Sequence, residues 1–174
     1  YKFIQHALEQ MAIGGLLFAI IPVSVLTKSG TSKSWRKNKL LRENTVLSVI
    51  SLPEKLFYPI GVHTCALIIK KGIPHHIKQN ILWLRCMQDG YLTKKGKRLS
   101  STNIENDFEK IQNILKLHIL SPNNKVQSIP ELQIASPLDV NDDLLEIVPE
   151  AYLEQKELSR EEILDGIDEL VRET

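Results

Sequence analysis

Two apolar stretches, Val46-Leu47-Ser48-Val49-Ile50-Ser51-Leu52 and His63-Thr64-Cys65-Ala66-Leu67-Ile68-Ile69-Lys70, are separated by the ten residues Pro53-Glu54-Lys55-Leu56-Phe57-Tyr58-Pro59-Ile60-Gly61-Val62. Each stretch has the length and continuous apolarity of a strand buried on both faces. A parallel pair needs a crossover of roughly a dozen residues or more, usually helical. Ten residues with two prolines do not supply one, so these two strands are predicted to run antiparallel.

Working outward, the run Leu16-Leu17-Phe18-Ala19-Ile20-Ile21, closed by Pro22, predicts another strand buried on both faces. Asn80 to Arg85 (NILWLR) predicts a fourth. Phe3, Ile4, Ala7, Leu8 and Met11 fall at helical spacing, so residues 1–10 read as an amphipathic helix stopped by Gly14-Gly15. A basic helix is expected over 33–44, with Ser32 as its cap. This alternation of helix and buried strand gives an α/β architecture with a mainly parallel sheet and one reversed terminal strand. After residue 100 the pattern changes. Ile104, Phe108, Ile111, Ile114, Leu115 and His118 trace a helix capped by Thr102 or Asn103. Residues 121–141 hold Pro122, Pro130 and Pro137 with little periodicity and read as linker or extended wrap. An acidic helix is expected over 158–172, opened by the capping box Ser159-Arg160-Glu161-Glu162. The expected organisation is therefore an α/β unit over 1–118, an extended linker over 119–157 and an acidic helix over 158–174, the last making a mostly helical extension.

The formal net charge of +1 over 174 residues hides a division. Residues 1–100 hold 16 Lys+Arg and 4 Asp+Glu, a net of +12, and residues 101–174 hold 6 and 17, a net of −11. The basic part suits a polyanion and the acidic part a protein. With 43% hydrophobic and 25% charged residues the chain is ordinary globular material. Two cysteines, Cys65 and Cys86, exclude a disulfide framework and fit a reducing cytoplasm. No apolar run approaches the ~20 residues that span a bilayer, so no membrane partner is expected. The sequence starts at Tyr1 and is already helical in pattern there, which leads us to expect a piece of a longer protein.

Self-sufficient catalysis is not visible. The one glycine pair, Gly14-Gly15, precedes a strand, whereas phosphate and nucleotide loops follow one. His75-His76 has no acidic or thiol partner at ligand spacing, so a solvated surface doublet is expected and no metal site. Cys65 lies in a strand pattern and is expected to be a buried, inert thiol. Trp35 and Trp83 are expected in the core or at a partner contact.

The string from Leu52 to Lys71, with Leu52-Pro53, Leu56-Phe57, Gly61-Val62, Thr64, Leu67 and Lys70 at their spacings, resembles the N6-adenine DNA methyltransferase family, most of all the modification subunits of type I restriction-modification systems and their fused type II relatives. The resemblance continues upstream through Phe3 to Leu8, Gly14 to Pro22 and the Trp35-Arg36 to Leu41-Arg42 helix, and covers residues 1–118. It implies the second half of a Rossmann-like class I methyltransferase sheet. It also implies a parent that transfers a methyl group from S-adenosylmethionine to adenine N6 in DNA, beside a specificity subunit. The family's Gly-containing cofactor motif and Asn-Pro-Pro-aromatic motif are absent, since the eight prolines include no adjacent pair. The chain alone is therefore expected to bind no S-adenosylmethionine, to hold no catalytic residue and to be inactive.

In that family position Phe57, with Tyr58 beside it, is the candidate for stacking on an extruded base, against the alternative that it plugs the core below its loop. Lys94, Lys95, Lys97 and Arg98 in one loop, and Lys33, Arg36 and Lys37 on the basic helix, are the DNA-binding candidates, against a merely solvated surface. An apolar strand edge at Leu16 to Ile21 is expected to be paired or covered, if need be by self-association. The rival to the enzyme reading is a non-catalytic α/β module that binds DNA and a protein.

Overall fold

The computed structural model describes residues 1–94, 96–120 and 126–154, together with Leu164 and Ile167. In chain order the elements are α1 (Lys2–Gln10), β1 (Leu16–Pro22), α2 (Ser24–Thr27), α3 (Thr31–Trp35), a π-helical turn (Arg36–Leu40), α4 (Leu41–Glu43), β2 (Asn44–Ser51), β3 (Thr64–Lys71), β4 (Asn80–Arg85), β5 (Tyr91–Lys94), β6 (Lys97–Ser100), α5 (Phe108–Leu120), β7 (Gln133–Pro137) and a 3-10 turn (Pro149–Ala151). Five strands form one sheet in the order β1-β3-β2-β4-β7, and β5 pairs with β6 as a separate hairpin.

All four strands expected from apolar runs are present, and β2 and β3 are antiparallel as the ten-residue connection requires. The expected mainly parallel sheet is corrected. Only β2 and β4 pair in parallel, while β1–β3, β2–β3 and β4–β7 are antiparallel. β1, β2 and β4 do point one way, β2 reached from β1 by a helical crossover and β4 from β2 by way of the reversed β3. The reversed β3 inserts between β1 and β2, however, and β7 arrives reversed on the far side of β4, so most contacts are antiparallel.

The expectation that the 16–21 run is buried on both faces is also corrected. β1 is an edge strand, with Leu17, Ala19 and Ile21 turned to the core and Leu16, Phe18 and Ile20 outward. Phe18 is 59% exposed. Continuous apolarity reports that a surface avoids water, and nothing in it says whether the covering element lies within the same 174 residues. Among the described residues the outer edge of β1 is unpaired.

One core lies on each face of the sheet. The larger joins Ile4 and Leu8 of α1, Leu26, Trp35, Leu40, the inward residues of β2 and β3, and Leu138, Leu145, Ile147, Val148 and Leu153. The smaller holds Ile50, Ala66, Leu82, Leu84 and Cys86 under Ile111 of α5. Phe3, counted in the stripe of α1 from its spacing, is 91% exposed, because Ile4 and Leu8 alone face the sheet. α5 begins at Phe108, later than expected. Its entry is fixed by Asn106, whose Oδ1 accepts the Phe108 N–H at 3.0 Å, and neither Thr102 nor Asn103 caps it.

Residues 126–154, inside the stretch read as linker or wrap, carry β7 and the long cover over the larger core. Tyr152 stacks on Trp83 with ring centroids 3.9 Å apart and planes 3° from parallel, and the Trp83 indole N–H reaches Ser136 Oγ at 3.0 Å. Of the acidic helix expected over 158–172, only Leu164 and Ile167 are among the described residues, both helical and exposed. Its capping box lies outside them.

Arg36 binds this cover to the helices. The π-helical turn carries its side chain inward, where it is fully buried. The guanidinium donates to the carbonyl oxygens of Val25 (2.9 Å), Lys28 (3.0 Å), Leu144 (2.9 Å) and Leu145 (2.9 Å). A buried cation costs several kcal/mol in lost hydration, and four charge-assisted hydrogen bonds at about 1.5–3 kcal/mol each are enough to offset that cost. Arg36→Leu is therefore expected to destabilise the protein by about 3–5 kcal/mol, since four carbonyls lose their donor. Urea denaturation measures this.

The same clamp predicts a pH effect. Asp142 accepts the backbone N–H groups of Glu146 and Leu144, both at 3.0 Å, and these bonds, with help from Lys33, hold its carboxyl below the ordinary 3.8. Because the folded value is depressed, this contribution to stability is present above the unfolded value and is lost as pH falls through the folded one. The stability gap between wild type and Asp142→Ala is expected to stay level from neutral pH down to that range and to close below it, as followed by urea midpoints across pH.

Candidate functional site

The carboxyl ends of β2 and β4 and the start of β3 meet at one end of the sheet. Open α/β sheets bind their ligands in the crevice beyond the carboxyl ends of the strands. A cleft of about 970 Å³ lies there, with Ser51, Thr64, Arg85 and Glu150 on its floor and Lys55 and Arg98 on its walls. The β5–β6 hairpin stands across it.

The 53–62 connection borders this cleft through Pro53, Glu54 and Lys55, whereas Phe57 and Tyr58 are not among its lining residues. The connection is a run of tight turns, with Leu56 N–H donating to Pro53 O, Tyr58 N–H to Lys55 O and Ile60 N–H to Phe57 O. Phe57 and Tyr58 are 41% and 39% exposed and belong to neither core. Phe57 therefore lies outside both cores, and both rings are partly exposed on the far half of the loop.

The basic candidates separate. Residues 91–100 are a hairpin and no open loop, turned at Gly96 with φ +73°. Lys94 and Lys97 are exposed on either side of the turn, and Lys95 lies outside the described residues. The turn approaches the aromatic loop so closely that a Cβ on Gly96 would sit 3.6 Å from Tyr58 Oη. Arg98 differs from its expected phosphate role. It pairs with Asp89, donates to the carbonyl of Leu56 and lies over the Tyr91 ring at 5.0 Å.

On the 31–43 helix, Arg36 is corrected outright: a fully buried guanidinium occupied by four carbonyls cannot meet a phosphate. Lys33 donates through Nζ to the carbonyl of Asp143. Lys37 is exposed, in a shallow groove shared with Asp142 and Asp143. Part of the chain's acidic half thus lies against its basic helix, and the two opposed charges are partly satisfied within the fold. Trp35 and Trp83 are both in the core.

Spacing could not reveal the polar floor. Ser51 Oγ donates to Glu150, whose Oε1 lies 3.8 Å from Arg85 Nε, and Cys65 Sγ is 3.7 Å from Ser51 Oγ. The floor joins residues up to 99 positions apart, so no local pattern marks it. Neither thiol is poised for attack. Burial pushes Cys65 up to about 12, and burial with Asp107 and Asp89 pushes Cys86 up to about 12. His75, expected at the surface, is half-buried, and both its ring nitrogens lack a hydrogen-bond partner among the described residues. Its pKa is lowered by that burial and by His76. Among the described residues no three His, Cys, Asp or Glu side chains gather as a metal site. The hairpin had a readable signal, Gly96 between the two short stretches Tyr91–Lys94 and Lys97–Ser100.

Residues 1–133 match the model of the N-6 DNA Methylase family. A curated relative, the type II restriction enzyme and methyltransferase RM.BcgI of Heyndrickxia coagulans, is 34% identical over 94 residues, which are 54% of this chain and 15% of that protein. Among solved structures, the methyltransferase subunit of a type I restriction-modification system from Streptococcus thermophilus superposes with a TM-score of 0.66 at 19% identity, over 88% of this chain and 30% of that one. The M protein of type I restriction enzyme EcoKI does so with a TM-score of 0.61 at 18% identity, over 98% and 41%. These structural likenesses concern the fold. The chain spans less than half the length of each of these relatives.

The burial of both thiols has a direct test. Cys65 and Cys86 are expected to react with a disulfide reagent at pH 8 at least a hundredfold more slowly in the folded protein than in denaturant, with two thiols released on unfolding.

Proposed function

Because this chain belongs to the N-6 DNA methylase family, we propose that it forms the base-stacking side of an adenine-N6 DNA methyltransferase of a restriction-modification system. The family match over 1–133 carries this reading, and the exposed aromatic loop at the ends of the strands supports it. In the proposal, DNA crosses the hairpin end of the sheet. Lys94 and Lys97 neutralise phosphates there, while Phe57, backed by Tyr58, stacks on an adenine taken out of the duplex.

In this reading the turn after β1 is no cradle for S-adenosylmethionine. Gly14 and Gly15 precede β1, and the turn after β1, Pro22-Val23-Ser24, has no glycine for close backbone approach. The reading therefore assigns the methyl donor and the Asn-Pro-Pro-aromatic motif to sequence outside these 174 residues, on a sheet half continuing beyond the edge of β1 that is unpaired among the described residues. This is the Rossmann-like arrangement, and in it the chain by itself transfers no methyl group. The acidic C-terminal residues are assigned to a specificity subunit, as the net of −11 over 101–174 suggests.

What these residues would do is bounded by energy. Aromatic–base stacking is worth about 1–3 kcal/mol, so Phe57→Ala in the full-length protein is expected to lower methylation of DNA by roughly 5–150-fold, with Phe57→Tyr close to wild type. Transfer of tritiated methyl groups measures it. Lys94→Ala and Lys97→Ala are each expected to reduce the slope of log affinity against log salt by about 0.9. A full-length protein that binds DNA with that slope but transfers no methyl group to adenine would favour the non-catalytic module instead.

A further inference from the structure

We propose that Arg98 is a positioning residue, which sets the aromatic loop rather than touching DNA. The inference rests on the functional reading above for its consequence, and on geometry alone for its mechanism.

The 53–62 connection is held from within by short-range turns. Among the described residues, one hydrogen bond ties its backbone to another element: the bond from Arg98 to the carbonyl oxygen of Leu56. That carbonyl belongs to the peptide unit joining Leu56 to Phe57. Fixing its plane fixes the nitrogen and Cα from which the Phe57 ring projects.

Arg98 is itself over-determined. One terminal nitrogen donates to Leu56 and the other pairs with Asp89, a carboxylate whose side chain is only 8% exposed. The Tyr91 ring lies under the guanidinium at 5.0 Å, and Asp89 Oδ1 accepts the Tyr91 N–H at 3.0 Å. The planar fork is thus held along two edges and one face. A lysine cannot reproduce this, since its ammonium is a point donor without a plane. Close approach of the hairpin turn to Tyr58 needs the same seating, because Gly96 lies two residues from Arg98.

This explains why, of the three described cations in this cluster, Arg98 is the one turned inward. Lys94 and Lys97 remain exposed, while Arg98 is neutralised by Asp89. Removing either member of such a partly buried pair leaves the other without its partner.

The test uses the full-length protein labelled with 4-fluorophenylalanine, with Phe57, Phe18 and Phe108 resonances assigned by single Phe→Leu variants. Arg98→Ala and the milder Asp89→Asn are expected to move the Phe57 fluorine resonance toward the free amino-acid position and to leave Phe18 and Phe108 in place. Arg98→Lys is expected to behave like Arg98→Ala, and Lys110→Ala, at an exposed site, like wild type. In methylation assays Arg98→Ala is expected to lower kcat at least tenfold with KM for DNA within twofold. A Phe57 resonance unmoved in Arg98→Ala overturns the proposal. So does movement of all three resonances in both Arg98→Ala and Asp89→Asn, or a kcat within twofold of an active wild type. Should wild type transfer no methyl group, the functional reading fails, and the fluorine measurement still decides whether Arg98 positions the loop.

Discussion

The reversed strand β3 is the constraint on which the rest of the molecule depends. It is buried from Thr64 to Ile69 and pairs with β1 through Thr64 to Lys70 on one side and with β2 through Cys65 to Lys71 on the other. Two neighbours satisfy both rows of its backbone groups, and its apolar side chains feed both cores. Because β3 enters the sheet where β2 leaves it, the connection between them must turn at the carboxyl ends of β2 and β4. An aromatic loop and a ligand-sized cleft therefore share one end of the sheet. A parallel β3 would have carried the loop residues away over a face.

The second dependence is electrostatic. A charge division of +12 and −11 along a chain suggests two surfaces with two partners, yet part of it is spent inside the fold. Arg36 gathers four carbonyls from two segments, Lys33 reaches Asp143, and Asp142 closes the turn that presents Leu144 and Leu145 to Arg36. Only part of the basic surface is left for a polyanion. Lys94 and Lys97 are exposed at the tip of a hairpin, whereas Lys33 and Arg36 of the 31–43 helix are engaged within the fold.

Legibility from sequence followed the range of the interaction. Strand positions were readable because burial imprints apolar runs locally, and β2, β3 and β4 lie within two residues of their expected ends. The antiparallel β2–β3 pair was readable because a short connection leaves no other geometry. The site was half legible. That Phe57, Tyr58, Lys94 and Lys97 are exposed could be expected from loop position and charge, but Arg98 looked identical to its neighbours, because its distinction is a bond to Leu56, 42 residues away. The floor of Ser51, Arg85 and Glu150 left no trace, since each residue type is ordinary at its own position.

By itself, then, the sequence determined which segments avoid water, how they alternate and where the chain must double back, together with a family likeness concentrated in the Leu52 to Lys71 string. These follow from side-chain chemistry and chain length, which act over a few residues. Only the tertiary structure decided which strands are neighbours, that Leu16, Phe18 and Ile20 stay uncovered among the described residues, and that Arg36 and Arg98 point inward while Lys94 and Lys97 point out. Those outcomes depend on which distant carbonyl or carboxylate arrives beside a given side chain, and that is settled when the sheet closes around β3.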